Sequence, residues 1–233
     1  MNRKTILLAA AAALAHALTA CAAVDIYFLR HGETVEHCAQ RELFEETGLN
    51  TDALHPLGCF SAAGRDPRGW IISNAFLAIV GKEDRALMFG DDAMDAQWFR
   101  LQFAEDGGTL TLTLAHADVR LQAVLKVRTN AFGQHAFDIV SSDLAFDHAK
   151  IIATALKNLQ SPESLPRLAF AFLPEEFTVN ELQTVHELLL GRHLLAANFR
   201  RKVMPLLQPA GRTTSGDGHR PAAIYTRNSN TVL

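Results

Sequence analysis

Three glutamates between Gly32 and Leu49 have the spacing of a divalent cation site. If this stretch forms a helix, Glu45 and Glu46 follow Glu42 by three and four positions, so the three carboxylates share one face. Like charges at this spacing repel each other, and a bound cation would relieve that repulsion. A ligand set made only of oxygen atoms favours Mg²⁺ or Mn²⁺ over Zn²⁺. The alternative interpretation is an acidic helix face in contact with solvent.

An arginine and a fourth glutamate accompany this acidic set. Arg41 directly precedes Glu42, and a guanidinium can hold a carboxylate through two parallel hydrogen bonds. Glu33 lies eight positions before Arg41, near the expected start of the helix. The stretch resembles the Nudix box, the signature of enzymes that cleave nucleoside diphosphates linked to another moiety. The matching residues are Glu33, Arg41, Glu42, Leu43, Glu45, Glu46, Gly48 and Leu49, whereas the first glycine of the pattern falls on Tyr27.

The resemblance implies a fold and a reaction. The fold is α+β, a Nudix-type α/β/α sandwich with a mixed sheet. Its N-terminal strands are predicted to be missing or replaced, because a segment of different composition stands in their place. The reaction is metal-assisted attack of water on a pyrophosphate phosphorus. The predicted metal ligands are Glu42, Glu45 and Glu46, and the predicted catalytic residues are Glu33, Arg41 and Glu45, with Arg41 orienting a glutamate.

The composition is that of a globular protein with a substantial core. The chain has 233 residues, of which 48% are hydrophobic and 20% are charged. Its three cysteines have no Cys-x-x-Cys spacing, which indicates neither a disulfide framework nor a zinc site.

The first 24 residues have the layout of a secretory signal peptide. A basic start at 2–4 precedes an apolar run at 6–18, and Leu18-Thr19-Ala20-Cys21 resembles the lipobox of bacterial lipoproteins. An exported lipoprotein with a lipidated Cys21 is therefore the alternative to a cytoplasmic protein. An alanine-rich helix of the folded domain is a third interpretation.

A strand predicted at 24–29 leads into a second, shorter motif. The sequence Arg30-His31-Gly32-Glu33 resembles the opening motif of the histidine phosphatases, in which His31 would be the nucleophile and Arg30 would bind phosphate. That family also requires a second histidine, and the nearest candidate, His116, lacks the Ser-His-Gly surroundings of the family. The Nudix interpretation is therefore preferred, and a solvent-exposed loop position is the plain alternative for His31.

A loop with two arginines precedes a buried strand predicted at 71–80. Arg65 and Arg68 are predicted to bind substrate phosphates, as similar loops do in many Nudix enzymes that act on ADP-ribose-like compounds. The alternative is a surface turn with solvated arginines. Further strands are predicted at 57–60, 109–114 (at a sheet edge), 121–128 and 136–140, and a second helix from Leu144, with Asp147 and His148 as capping residues.

The end of the chain differs in charge from the rest. Residues 177–233 carry seven basic and three acidic side chains, a balance of +4, so the remainder must carry −7 to give the net charge of −3. That asymmetry indicates a partner for the basic part. The resemblance implies a Nudix-like domain at 25–160, and composition predicts a linker at 161–176 before a second domain at 177–233.

The second domain has the pattern helix, turn, basic helix and basic hairpin. Thr178 and Glu181 form a predicted capping box, Gly191 ends the first helix, and the second helix runs from Leu195 to about Leu207. This is the plan of a winged helix, with a closing strand at 222–226. The predicted contacts to double-stranded DNA are Asn198, Arg200, Arg201, Lys202, Arg212 and Arg220. A small accessory domain with solvated charges is the alternative.

The two parts together resemble the NrtR family, Nudix-related transcriptional regulators of bacterial NAD metabolism. The residues that carry this resemblance lie in 177–183, 190–192, 198–202 and 218–225. The family implies an ADP-ribose-like ligand that weakens operator binding by a homodimer. Because the box glutamates are retained, hydrolysis remains chemically possible, and a plain Nudix pyrophosphohydrolase without a regulatory role is the alternative.

Overall fold

The computed structural model describes residues 8–9, 20–26, 32–67, 69–80, 97–214 and 221–228, the first two ranges by their backbone alone. The chain divides into two compact units, the first including residues 19–158 and the second residues 159–233. Both contain helices and strands, which confirms the α+β class. No helix in the described part is long and apolar enough to cross a membrane.

The first unit contains eight strands and two helices in its described residues. In chain order they are β1 (Leu8–Ala9), β2 (Ala20–Ile26), α1 (Val35–Thr47), β3 (Leu54–Phe60), β4 (Ser73–Val80), β5 (Phe99–Asp106), β6 (Thr109–His116), β7 (Val119–Thr129), β8 (His135–Ser142) and α2 (His148–Gln160).

Helix α1 forms where the sequence predicts a helix between two glycines. The Thr34 hydroxyl accepts a hydrogen bond from the backbone N–H of His37 at its start. Gly48 ends the helix in the left-handed conformation, with a φ of 71°. Cys38, Leu43 and their apolar neighbours turn inward onto the sheet residues of β4, so the polar face of α1 is presented on the other side.

A three-stranded antiparallel sheet, ordered β2-β4-β3, lies beneath α1. Strand β2 pairs with β4 along its whole length, so one N-terminal strand stands at this position. The predicted strand at 24–29 instead begins at Ala20, and residues 27–31 lie outside the described ranges. Asn74 of β4 pairs with both Ile26 and Cys59, so β2 and β3 end at the same edge of the sheet where β4 begins.

A five-stranded mixed sheet is ordered β1-β5-β6-β7-β8, with β1 parallel to β5 and the other pairs antiparallel. Strand β6 lies inside this sheet, so its predicted position at an edge is wrong. Its leucines at 110, 112 and 114 are fully buried against α2, while threonine is also a good former of interior strands. Helix α2 begins at His148, four residues after its predicted start.

The second unit contains α3 (Leu165–Ala171), β9 (Phe177–Thr178), α4 (Val179–Leu190), α5 (Ala196–Val203), a short 3-10 helix (Met204–Leu206), β10 (Leu207–Thr213) and β11 (Ala223–Arg227). The sheet order β10-β11-β9 places the hairpin of β10 and β11 beside the start of α4. Helix α3 lies inside the segment predicted as a linker. Helix α4, its capping box at Thr178 and its end at Gly191 are as predicted. Helix α5 is shorter than predicted, because Pro205 falls in the 3-10 turn that follows it.

Candidate functional site

Arg41 is the centre of a carboxylate cluster on the polar face of α1. Its Nε and Nη2 donate to the two carboxylate oxygens of Glu33 at 2.9 and 3.0 Å, a bidentate pair. Its Nη1 donates to Glu42 at 2.6 Å and to Glu45 at 3.0 Å. The structure therefore gathers the predicted catalytic residues Glu33, Arg41 and Glu45 around one guanidinium. Glu46 lies on the same helix and is half-buried.

The cluster is partly withdrawn from solvent, which strengthens its ion pairs. Glu42 is buried, whereas the Glu45 side chain is 45% exposed. The hydrogen bonds that Arg41 donates to Glu33 raise the pKa of Arg41 further above its ordinary value. Burial raises the pKa of the adjacent Cys38 thiol to about 11, so this thiol stays protonated at neutral pH. The chemistry of the cluster therefore belongs to its carboxylates.

The donor chemistry of the cluster fits a hard divalent cation. Four glutamates with one arginine leave a formal charge of −3, and all potential ligands are oxygen atoms. In the described part of the chain, however, no three His, Cys, Asp or Glu side chains are arranged to hold a metal ion. The guanidinium of Arg41 is the cation that the carboxylates surround. The metal set Glu42, Glu45 and Glu46 stays a prediction.

Arg65, predicted to bind phosphate, is buried and fully engaged within the protein. Its Nε and Nη2 donate to the two oxygens of Asp147, each at 2.8 Å, and its Nη1 donates to the Ser73 hydroxyl at 2.6 Å. The side chain joins the loop after β3 to the starts of β4 and α2. Asp147 consequently accepts these bonds with its carboxylate instead of capping α2 with it. Arg68 lies outside the described residues.

The second histidine required by the histidine-phosphatase interpretation has a structural environment. His116 ends β6, and its Nδ1 lies 2.7 Å from the carbonyl oxygen of Trp98, with its ring against Phe99. His31 and Arg30 lie outside the described ranges. His116 is thus held at the end of β6 by a backbone carbonyl and an aromatic neighbour.

The basic helix α5 presents its charges to solvent. Asn198, Arg200, Arg201 and Lys202 are exposed, while Phe199 and Val203 turn inward. Arg201 donates to Asn198, and Arg200 lies 3.4 Å from the hydroxyl of Tyr225. Within the described residues, none of the three basic side chains has an acidic partner. This is the arrangement that attracts a polyanion.

The hairpin contributes less positive charge than predicted. Arg212 is paired with Glu176, which neutralises its charge locally. Arg220 lies outside the described residues. In the described part of this unit, α5 carries three consecutive exposed basic residues, while Arg167, Arg192 and Arg227 are exposed singly.

Two polar residues that the sequence does not identify as functional hold the turn between α4 and α5. Glu187 accepts the backbone N–H of Leu194 at 2.8 Å, and Gln183 donates to the Leu194 carbonyl at 3.0 Å. Gln183 also donates to Glu187, and this bond first of all lowers the pKa of the Glu187 carboxyl. Their spacing of four residues on α4 is the only sequence signal of this pair. They position the start of α5.

A buried histidine joins the two helices from the inside. The His186 ring packs edge-on against Phe199 with 4.9 Å between centroids, and its Nδ1 bonds to the Leu182 carbonyl. Burial lowers the pKa of His186 below its ordinary value of 6.5. The helix pair is therefore built around a neutral imidazole.

Comparisons with known protein families place both units. Residues 27–118 match the NUDIX domain, and residues 169–226 match the NrtR DNA-binding winged helix domain. The chain is 26% identical over 199 residues to the ADPR responsive transcriptional repressor NtrR of Acinetobacter baylyi, a match that covers 84% of this chain and 65% of that protein. It is 45% identical over 82 residues to the ADP-ribose pyrophosphatase of Methanocaldococcus jannaschii, covering 35% of this chain and 47% of that protein. The matches therefore span less than two thirds of the length of either relative.

Among solved structures, the chain is similar to Shewanella oneidensis NrtR. The crystal structure of that protein with a 27mer DNA has a TM-score of 0.49 and 19% identity, covering 97% of this chain and 92% of the other. A second crystal structure of the same protein has a TM-score of 0.48 and 21% identity, and the match covers 97% of this chain and 93% of the other.

Proposed function

Because the chain contains a Nudix domain followed by an NrtR-type DNA-binding winged helix domain, we propose that it is an ADP-ribose-responsive transcriptional repressor of NAD-metabolism genes. The observation that carries this proposal is the exposed basic face of α5, whose arginines and lysine have no acidic partner among the described residues. The relative that matches most of the chain is described as an ADPR responsive repressor.

In this proposal α5 enters the major groove of the operator. Asn198 reads base edges, because amide side chains pair with adenine through two hydrogen bonds. Arg200, Arg201 and Lys202 bind phosphates, with Arg212 and Arg220 supporting them from the hairpin. Two copies of the chain would contact two half-sites of one operator, as helix-turn-helix dimers do.

The Nudix domain supplies the ligand site. When bound, Mg²⁺ or Mn²⁺ would neutralise pyrophosphate charge and polarise a water molecule. Glu42, Glu45 and Glu46 are the side chains proposed to hold it. Arg41 fixes Glu33 by a bidentate pair and restrains Glu42 and Glu45, so the carboxylates are oriented before the ligand arrives. Arg68 is proposed to bind a ligand phosphate, and Arg65 to hold its loop in place.

The regulatory proposal is tested with labelled DNA from the regions upstream of NAD-metabolism genes. Fluorescence anisotropy should show binding whose logarithm of affinity falls linearly with the logarithm of salt concentration. Adding ADP-ribose in EDTA, which prevents turnover, should release the DNA. Absence of binding at low salt to every such region, or binding that ADP-ribose does not alter, would contradict the proposal.

Hydrolysis of the ligand is a second candidate function. The observation in its favour is that the sequence retains all four box glutamates, three of which bind Arg41, together with a relative described as an ADP-ribose pyrophosphatase. The full chain should then produce AMP from ADP-ribose in the presence of Mg²⁺. Glu46→Gln should lower the rate on the order of 100-fold, as loss of one group that stabilises transition-state charge does. The matched control is Glu36→Gln, an exposed acid of the same helix. Equal turnover in both variants would exclude Glu46 as a metal ligand.

A repressor has to remain with the chromosome, so we place the protein in the cytoplasm. Backbone pairing of Cys21 with Ile79 in the β2–β4 ladder is consistent with retention of this segment in the fold. Mass spectrometry of the protein from cells should find an unmodified Cys21. A lipidated Cys21 would support the exported alternative.

A further inference from the structure

Trp70 is an exposed aromatic residue whose orientation is fixed. Its side chain is 77% exposed, yet its indole N–H donates to the Ser61 carbonyl at 2.9 Å. The single polar group of the ring is therefore satisfied, and the ring can contact a further partner through its π face.

The backbone that carries Trp70 is also restrained. Gly69, immediately before it, has a φ of 152° and donates its N–H to the Asp66 carbonyl in a tight turn. Asp66 is buried, and the neighbouring Arg65 is anchored to Asp147 and Ser73. An aromatic ring held in this way binds a ligand without a large loss of conformational entropy.

The sheet topology places Trp70 at the same edge as the start of the carboxylate cluster. The loop that contains Trp70 follows Phe60, at the edge where Asn74 pairs with both Cys59 and Ile26. Strand β2 ends at that edge with Ile26, and Glu33, the bidentate partner of Arg41, follows seven positions later in the sequence. A ligand bound through its pyrophosphate near this cluster would extend along an edge at which an aromatic surface is already in position.

We propose that Trp70 is the stacking surface for the adenine base of the ADP-ribose-like ligand. This inference rests on the proposed function of the Nudix domain. A nucleotide base stacks on an aromatic ring through its π face, and removal of such a ring costs binding on the order of 10-fold. Trp70 thereby determines that the ligand carries a base, whereas the carboxylate cluster addresses its pyrophosphate.

Calorimetric binding of ADP-ribose to the full chain in EDTA tests the assignment. Trp70→Ala should weaken binding on the order of 10-fold, and Trp70→Phe should restore it to within about threefold of the original protein, because phenylalanine keeps a π face without the N–H. The matched control is Phe132→Ala, which removes an aromatic side chain that is 88% exposed in the hairpin between β7 and β8. That variant should bind as the original protein does.

Tryptophan fluorescence provides a readout that a purely structural role would not change. The chain has two tryptophans, so in a Trp98→Phe variant Trp70 is the sole emitter. ADP-ribose should quench this emission at the concentrations at which it binds. Unchanged emission on binding, or equal affinities of the original protein, Trp70→Ala and Phe132→Ala, would overturn the assignment and leave the ligand proposal intact. Failure of the original protein to bind ADP-ribose would instead overturn both. If Trp70→Ala changes self-association in sedimentation experiments but leaves the affinity for ADP-ribose unchanged, the ring instead belongs to a contact between copies of the chain.

Discussion

The arginine-centred cluster of the first unit and the basic helix α5 of the second unit use the same kind of charge in opposite ways. Arg41 and Arg65 are surrounded by carboxylates and hydroxyls of the protein itself. Arg200 and Arg201 of α5 are exposed, and they donate to the hydroxyl of Tyr225 and the amide oxygen of Asn198. Charges in the first group orient other protein groups, while those in the second remain available to an external anion.

The difference shows that an arginine's role follows from its partners more than from its position in a motif. Arg65 occupies a loop position that the sequence assigns to phosphate binding, yet its side chain is 4% exposed and its guanidinium is paired with Asp147. Arg212 occupies the predicted hairpin and is paired with Glu176. The functional contrast between the two regions can be tested by removing one charge at a time.

The largest expected effect comes from Arg65→Ala. Removing one partner of a buried ion pair leaves Asp147 buried and uncompensated, which costs about 3–5 kcal/mol of unfolding free energy. Urea unfolding followed by tryptophan fluorescence measures it, because Trp70 and Trp98 both lie in the first unit.

Two comparisons make that result specific. Arg200→Ala, at an exposed site, should change stability by no more than about 0.5 kcal/mol. The double variant Arg65→Leu with Asp147→Leu should be more stable than Arg65→Ala alone, because no buried charge is left. If Arg65→Ala lowers the free energy of unfolding by less than about 1 kcal/mol, the pair of Arg65 and Asp147 contributes less to stability than its burial and geometry indicate.

The second prediction concerns DNA binding by α5. Replacing Arg200, Arg201 and Lys202 by alanine should reduce the slope of log affinity against log salt by about 2.7, or about 0.9 for each lost phosphate contact. The matched control is Arg128→Ala, an exposed arginine of the first unit that is paired with Asp138. If the triple variant keeps the original slope, the DNA-binding surface lies elsewhere in the chain.

The sequence was sufficient for features that depend on neighbours along the chain. Helix α1 between Thr34 and Gly48, and helix α4 between Thr178 and Gly191, follow from local capping and backbone conformation. The pairing of Arg41 with Glu33 is also local, since Glu33 lies eight positions earlier, just before the first two turns of α1.

Features that depend on contacts between residues far apart in the sequence could not be predicted from local patterns. Arg65 and Asp147 are 82 positions apart, so neither residue type revealed that one would satisfy the other. The interior position of β6 depends on its pairing with both β5 and β7, while its alternating pattern is equally typical of an edge strand. The start of strand β2, at residues 20–23, was assigned to the signal-like segment because its alanine-rich composition is typical of one.

The third prediction compares the caps of the two helices. Thr178→Ala should lower the free energy of unfolding by about 1 kcal/mol, because the capping box satisfies two backbone donors. Thr34→Ala should cost less, since Thr34 accepts a single bond of 3.3 Å from the N–H of His37. Hydrogen exchange of the amides of α4 and α1 measures each helix separately. Equal losses in the two variants would mean that the reciprocal bonds between Thr178 and Glu181 add no stability beyond that of a single cap.

The smallest expected effect is the pH dependence that His186 gives to the winged helix. Burial lowers the pKa of this histidine below 6.5 in the folded chain, so between the two values the unfolded chain binds more protons. The stability of the second unit should therefore be complete above pH 6.5 and fall as the pH drops from 6.5 toward the folded pKa.

Helix α1 has no comparable histidine in its buried face, so the protection of its amides against exchange should show no such dependence in this range. His186→Phe, which keeps an aromatic ring against Phe199, should remove the dependence from α4 and α5. If the protection of the α4 amides against exchange still falls between pH 6.5 and 5.5 in that variant, another group of the second unit is responsible.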